Sequence, residues 1–214
     1  MDKLTQLKSL IDETIKGDVK SKLTDSQFDV GGFISPNTRN LYNRFGSMSE
    51  HYFELGSHIG ASLVSTVYGN DNLKSVTACD NYSLFIEDTT QDTRAEFYKN
   101  ADRHIKGRYT MLEKDGFKLT KEDLPNPIDL YLKDGDHSYE SEYLGVIKIA
   151  PFLAKECIMV VDDFSWADVQ RGTWDGIRDA GLNVVYAMTF WNGVESDCGK
   201  TGFWNGCGVF LINK

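Results

Sequence analysis

No stretch of this sequence is apolar for long enough to cross a bilayer. The longest apolar runs, such as Cys157–Val161, fall far short of the roughly 20 residues a spanning helix needs. The opening residues lack the profile of a signal peptide, since Asp2 and Lys3 begin a charged, amphipathic segment. Positive charge is scarce as well: 23 Lys and Arg stand against 32 Asp and Glu, for a formal net charge of −9. That balance disfavours a nucleic-acid partner, because neutralising phosphates takes clustered cations and no basic run is present. Cysteines are few. Cys79 and Cys157 lie in apolar runs and read as small core residues, whereas Cys198 and Cys207 flank a glycine-rich loop and are able to approach one another. None belongs to a Cys-x-x-Cys pair, so a cytoplasmic protein with reduced thiols and no membrane partner is expected.

What is present is a chain of 214 residues, enough for one domain with a sizeable core. Leu4, Leu7, Ile11 and Ile15 recur at helical spacing and Gly17 stops that helix. Residues 18–38 read as a loop, and a second helix is predicted over Thr38–Phe45. From His51 the pattern becomes regular. Short apolar runs at His51–Leu55, Ser75–Cys79, Tyr109–Glu113, Ile128–Leu132 and Cys157–Val161 read as buried parallel strands. Helix-length segments lie between them at about 60–69, 82–104 and 138–154. Strands alternating with helices predict a doubly wound α/β sheet with right-handed crossovers. Asn183–Phe190 and Gly208–Asn213 read as two closing strands without a helix between them, hence antiparallel. The tetrapeptide Phe-Trp-Asn-Gly occurs twice there, at 190–193 and 203–206.

The loop after the first strand reads Glu54-Leu55-Gly56-Ser57-His58-Ile59-Gly60-Ala61-Ser62. A dinucleotide fingerprint counted from Gly56 would require glycines where His58 and Ala61 stand, so a nicotinamide-dependent oxidoreductase is disfavoured. Gly56 suits a tight turn, and Gly60 permits close approach of the backbone to a ligand. The next two strands end at Asp80-Asn81 and Asp115-Gly116. Asp80 can accept hydrogen bonds from a ribose or cap a helix. Successive strand ends in an open α/β sheet converge on one ligand crevice, which favours a cofactor site.

The fourth and fifth strands add Asp134-Gly135-Asp136-His137 and Asp162-Asp163. Four converging carboxylates repel one another unless neutralised, and a hard cation such as Mg²⁺ would serve. The alternative is that Asp134 and Asp136 cap the following helix while Asp162-Asp163 form a solvated turn. His137 is suited to proton abstraction near neutrality or to simple hydrogen bonding. His51, His58 and His104 read as structural, although His58 lies within the cofactor loop.

The Glu-x-Gly-x-x-x-Gly loop resembles the first motif of class I methyltransferases. Asp134-Gly-Asp-His-Ser-Tyr-Glu140 followed by Asp162-Asp163 is similar to a family of small O-methyltransferases that includes macrolide-sugar methyltransferases and others linked to polysaccharide biosynthesis. The resemblance spans about residues 50–190. It implies a Rossmann-like fold: a mostly parallel seven-stranded sheet with a C-terminal antiparallel hairpin and helices on both faces. Residues 1–49 would form a helical cap or substrate lid on a domain at 50–214. It further implies S-adenosylmethionine at Glu54, Gly56, Ser57, Gly60, Ser62, Asp80, Asn81, Asp115, Gly116 and Asp134. Mg²⁺ or Mn²⁺ would sit on Asp136, Asp162 and Asp163, with Asp134 as an alternative first ligand from the more distant catechol methyltransferases. His137 and Asp134 are the catalytic candidates, and the acceptor would be a hydroxyl on a sugar or glycan terminus, or on a catechol-like small molecule. Trp166, Trp174, Trp191 and Trp204 offer stacking faces to a sugar or pack in the core. A nucleic-acid methyltransferase lacks its Asn/Asp-Pro-Pro-Tyr element here. A non-catalytic binding domain is the remaining rival, which the retained acids disfavour, and a homodimer is an open oligomeric state.

Overall fold

The structure, a computed structural model, describes residues 2–83, 92–191 and 202–214. Three helices precede the first strand: α1 (Lys3–Ile15), α2 (Asp25–Phe28) and α3 (Pro36–Ser47). Asp2 and Ser35 cap α1 and α3 by accepting hydrogen bonds from the N–H groups of Thr5 and Thr38. The stretch read as a loop at 18–38 thus contains one short helix.

The alternation then runs β1 (His51–Leu55), α4 (Ala61–Val67), β2 (Ser75–Cys79), α5 (Thr93–Ile105), β3 (Thr110–Leu112), β4 (Ile128–Lys133), α6 (Tyr139–Ile149), β5 (Leu153–Asp162), α7 (Ala167–Asp179), β6 (Asn183–Phe190) and β7 (Cys207–Asn213). Strand order is β3-β2-β1-β4-β5-β7-β6. β1 to β5 are mutually parallel, and β7 runs antiparallel to both of its neighbours. The expected Rossmann-like sheet with antiparallel C-terminal strands is therefore present. The last strand does not extend the edge, however; it inserts between β5 and β6.

Two predicted boundaries shift. The segment at 138–154 is not one helix, because a 3₁₀ turn at Ala150–Phe152 closes α6 and β5 already begins at Leu153. Pro151 has no N–H to continue the helical ladder. Within 82–104 the helix starts only at Thr93, capped by Asp92. A helix the sequence pattern did not announce, α7, carries Gly172 and Gly176 against α6. A Cβ on either would crowd the backbone of Tyr139 or the side chain of Val146.

The core has two layers, one on each sheet face. On one face Leu7, Leu10 and Ile11 of α1, Leu41 and Phe45 of α3, and Leu63 and Val67 of α4 pack on Tyr52, Leu130, Val160 and Leu211. On the other, Val146 and Ile149 of α6 with Val169 and Ile177 of α7 pack on Phe53, Tyr131, Met159 and Phe210. Adjacent strand residues thus serve opposite layers, as the pleat demands. Helices α1 and α3 share this core. Asp129 of β4 ties Lys3 to the sheet by accepting from its Nζ at 3.1 Å, and it also accepts from the His51 N–H of β1 at 2.7 Å. Among the described residues, no helix is long and apolar enough to cross a membrane. Cys79, Cys157 and Cys207 are free and buried; Cys198 lies outside the described residues.

Candidate active site

Because β1 to β5 are parallel, their C-terminal ends and following loops emerge at one edge of the sheet. A cavity of about 510 Å³ opens there, within the range of small-ligand sites. Gly56, Ser57, Ser62, Asp80, Asn81, Asp115, Gly116, Asp134, Asp136, His137, Asp162 and Asp163 all line it. Glu54 and Gly60 do not: Glu54 lies fully buried beneath the loop, and Gly60 caps α4.

Gly56 has φ +90°, and a Cβ there would overlap the carbonyl of Asp134. The β1 and β4 loops therefore touch through bare backbone, which only glycine allows. Below them, the Tyr52 hydroxyl donates to Glu54 Oε2 at 2.6 Å. Burial raises Glu54 to about 7, while the hydrogen bond from the Tyr52 hydroxyl draws it back in part. Glu54 Oε1 and Ser57 Oγ are buried without a hydrogen-bond partner among the described residues. Unpaired polar atoms beside a cavity mark where a polar ligand would be taken up.

Asp80 is already engaged. Its Oδ2 accepts from the N–H groups of Ser57 and His58, each at 2.9 Å, and its Oδ1 from Tyr82 N–H at 2.7 Å. A carboxylate has about four acceptor positions, so about one is left for a ribose. The acid at the end of β2 holds the cofactor loop in shape. Asp115 similarly accepts from Phe117 N–H and pairs with Lys118.

At the ends of β4 and β5, His137 Nε2 lies 3.1 Å from Asp163 Oδ2. Burial pushes His137 down, but Glu142 and Asp163, with Asp134, outweigh it and hold the imidazole above its ordinary value. Burial raises Asp134 to about 6, with Asp163 adding to the rise and His137 opposing it. Asp162 is raised well above the carboxylate range by burial, then by Asp134 and Asp163.

The predicted metal set is not grouped among the described residues. Asp136 is exposed, and its carboxylate accepts from the Ser138 hydroxyl at 2.5 Å, beside the start of α6. Among the described residues, no three His, Cys, Asp or Glu side chains are grouped to hold a cation. The helix-start alternative describes Asp136 better, although Ser138 itself is the cap.

Phe33 had no clear signal in the sequence, and His58 and the tryptophans only an ambiguous one. Phe33, from the segment before α3, stacks on His58 at 6.0 Å between ring centroids and lies 5.8 Å from Trp204. All three line the cavity, so His58 belongs to the site wall. Trp166 also lines it, edge-on to His137 at 5.5 Å. Trp174 does not; it sits on α7 and packs against Phe210. The two Phe-Trp-Asn-Gly copies meet through their phenylalanines, with Phe190 stacked on Phe203 at 4.7 Å; residues 192 and 193 lie outside the described residues. Lys133 and Glu142 form a buried ion pair under the β4 loop. A lysine closing an apolar strand was the one available hint.

With this geometry established, residues 53–164 match the family model described as a methyltransferase domain. The chain belongs to that family. No curated protein matches the sequence. Among solved structures, the methyltransferase domain is similar to TrmN from Thermus thermophilus, with a TM-score of 0.60 and 12% identity over 88% of this chain and 52% of that one. The chain thus spans about half of TrmN. It is also similar to a putative RNA methyltransferase from Pyrococcus horikoshii, with a TM-score of 0.59 and 10% identity over 89% of this chain and 95% of that one. A third likeness is the O-methyltransferase from Bacillus cereus in complex with SAH, with a TM-score of 0.57 and 12% identity over 100% of this chain and 93% of that one. At such identities the likeness is one of fold.

Proposed function

We propose that this methyltransferase domain transfers a methyl group from S-adenosylmethionine to a hydroxyl of a small molecule, with a sugar or glycan terminus as the acceptor class. The observation that carries the reading is the placement of His137 and Asp163, 3.1 Å apart, in the cavity that the Gly56 loop also lines. The residues fit the cofactor: Ser57, on the cavity wall, has an unpaired Oγ that would take its ammonium group, with the unpaired Glu54 Oε1 buried behind as countercharge. Phe33 and His58 would cover the other side. When bound, the cofactor supplies an electrophilic methyl group on a sulfonium.

The chain's own task is alignment and proton removal. A sugar hydroxyl is hardly ionised at neutral pH. Neutral His137 would take its proton, and Asp163 and Glu142 on either side of the ring would stabilise the imidazolium that forms. Trp166 and Trp204 offer ring faces to the acceptor. No step is routed through a cation, since Asp136 does not join Asp162 and Asp163. A divalent ion at these acids remains part of the reading to be tested by chelation and by return of Mg²⁺ or Mn²⁺. The −9 charge disfavours an RNA acceptor.

The deciding experiment is methyl transfer from labelled S-adenosylmethionine to panels of sugars and catechols, with and without Mg²⁺. Labelled sugar is the expected product. Labelling of catechols alone would overturn the acceptor class, and failure of the pure protein to bind S-adenosylmethionine would overturn the whole reading.

A further inference from the structure

Lys133 and Glu142 are each 1% exposed, with Nζ 2.8 Å from Oε1. Burying two charges is costly, and a well-packed apolar pair generally serves a fold as well or better. The slot that holds the lysine is nevertheless closely built. A Cβ on Gly145 of α6 would lie 2.9 Å from Lys133 Cε and 3.1 Å from its Cδ, so the lysine stem crosses the helix where only glycine makes room. The Tyr131 hydroxyl donates to the carbonyl of that same glycine at 3.1 Å.

Both charged heads turn to the loop between β4 and α6. Lys133 Nζ also donates to the Asp136 carbonyl at 3.0 Å, fixing the peptide that precedes His137. Glu142 Oε1 lies 3.7 Å from His137 Nδ1, a charge contact too long for a hydrogen bond. Glu142 Oε2 and His137 Nδ1 have no hydrogen-bond partner among the described residues. On the far edge of the ring stands Asp163, and Trp166 meets it at an interplanar angle of 80°. The ring is thus bracketed by two carboxylates, and the nearer support of one of them is the buried lysine.

We infer that Lys133 and Glu142 are positioning residues. Lys133 pins the loop backbone and Glu142 turns the Nδ1–H edge of His137 inward, so that the Nε2 lone pair is left for the acceptor's proton and Asp163 stands beside it to pair with the N–H that results. This rests on the methyl-transfer reading for its purpose, but the placement itself can be read without turnover.

The test is the double variant Lys133→Met/Glu142→Leu, which fills the slot with apolar groups, alongside the single variant Glu142→Gln. Three quantities are measured at one fixed pH: the melting temperature, the affinity for S-adenosylhomocysteine, and the nuclear Overhauser contact between the His137 ring and the Trp166 indole, assigned with His137→Gln. A positioning role predicts that the double variant melts at or above the wild-type temperature and binds S-adenosylhomocysteine within about threefold, because neither side chain is among those proposed to hold the cofactor. The His137–Trp166 contact should weaken or vanish. On an acceptor identified by the sugar panel, kcat should fall on the order of 10²-fold while KM for S-adenosylmethionine holds. A wild-type ring contact and wild-type kcat in the double variant would make the pair merely structural. If the double variant fails to fold, an unchanged ring contact in Glu142→Gln overturns the inference equally. Failure of the methyl-transfer reading would look different: the wild-type protein itself would not bind S-adenosylhomocysteine, while the ring contact still reported on the pair.

Discussion

Glu54→Gln should make the ligand-free protein more stable above neutral pH while weakening cofactor binding. Glu54 is 0% exposed, and burial lifts it from an ordinary 4.5 to about 7. Below about pH 4.5 the carboxyl is protonated in both folded and unfolded chains, and it adds no pH dependence. Between 4.5 and 7 the folded chain keeps a proton that the unfolded chain has released, so stability falls as pH rises. Above 7 the loss levels off. At about 1.4 kcal/mol per unit, the full penalty is about 3.5 kcal/mol. Glutamine is neutral and its carbonyl can still accept from the Tyr52 hydroxyl, so the variant should recover most of that penalty. For a chain of this size the gain at pH 8 corresponds to roughly 6–12 °C in Tm, shrinking towards zero as pH approaches 5. Thermal and urea unfolding at pH 5, 6, 7 and 8 measure it. Calorimetry at pH 8 should show S-adenosylmethionine bound about tenfold more weakly, because the buried countercharge behind the ammonium is lost. A stability difference between variant and wild type that does not change with pH would refute the protonated-carboxyl argument. Unchanged affinity would remove Glu54 from the ammonium site.

Asp80→Ala frees three backbone N–H groups of the cofactor loop and its neighbour, so it should lower both Tm and S-adenosylmethionine affinity; a loss of affinity with full Tm would instead mean that Asp80 serves the ribose alone. Gly56→Ala introduces a Cβ against the Asp134 carbonyl at φ +90° and should cost at least about 1–3 kcal/mol in denaturant unfolding; a neutral result would disprove the close approach of the two loops. His137→Ala should reduce kcat by about 10²–10⁴-fold with cofactor affinity near wild type, and a loss under about threefold would pass the proton to another group. In the wild type, activity should rise with pH through a midpoint above 6.5, since the flanking carboxylates favour the imidazolium; a midpoint below 6.5 in a kcat profile would contradict that environment.

The sequence by itself determined the class of fold and the sheet edge at which the candidate cavity opens. Periodicity is local, so His51–Leu55, Ser75–Cys79 and Asn183–Phe190 could be bounded to the residue. Once those strands are parallel, chain geometry alone sends Gly56, Asp80, Asp115, Asp134 and Asp162 to one edge, and nearly all the expected residues do line one cavity. α7 escaped because Gly172 and Gly176 weaken helix propensity, and their use is visible only once α6 is packed against them.

Tertiary structure decided everything that depends on which atoms meet. The insertion of β7 between β5 and β6 is a pairing between segments far apart in the chain, and antiparallel alternation reads the same for either placement. Whether an acid is a ligand, a cap or a brace depends on donors from other elements. Asp80 is taken by the loop after β1, Asp136 by Ser138, and Asp163 by His137. The pairing of Lys133 with Glu142 needs burial to matter, since the same two charges in water would attract only weakly. Residue type and spacing set where charges are delivered; low dielectric and three-dimensional proximity set their protonation and their partners.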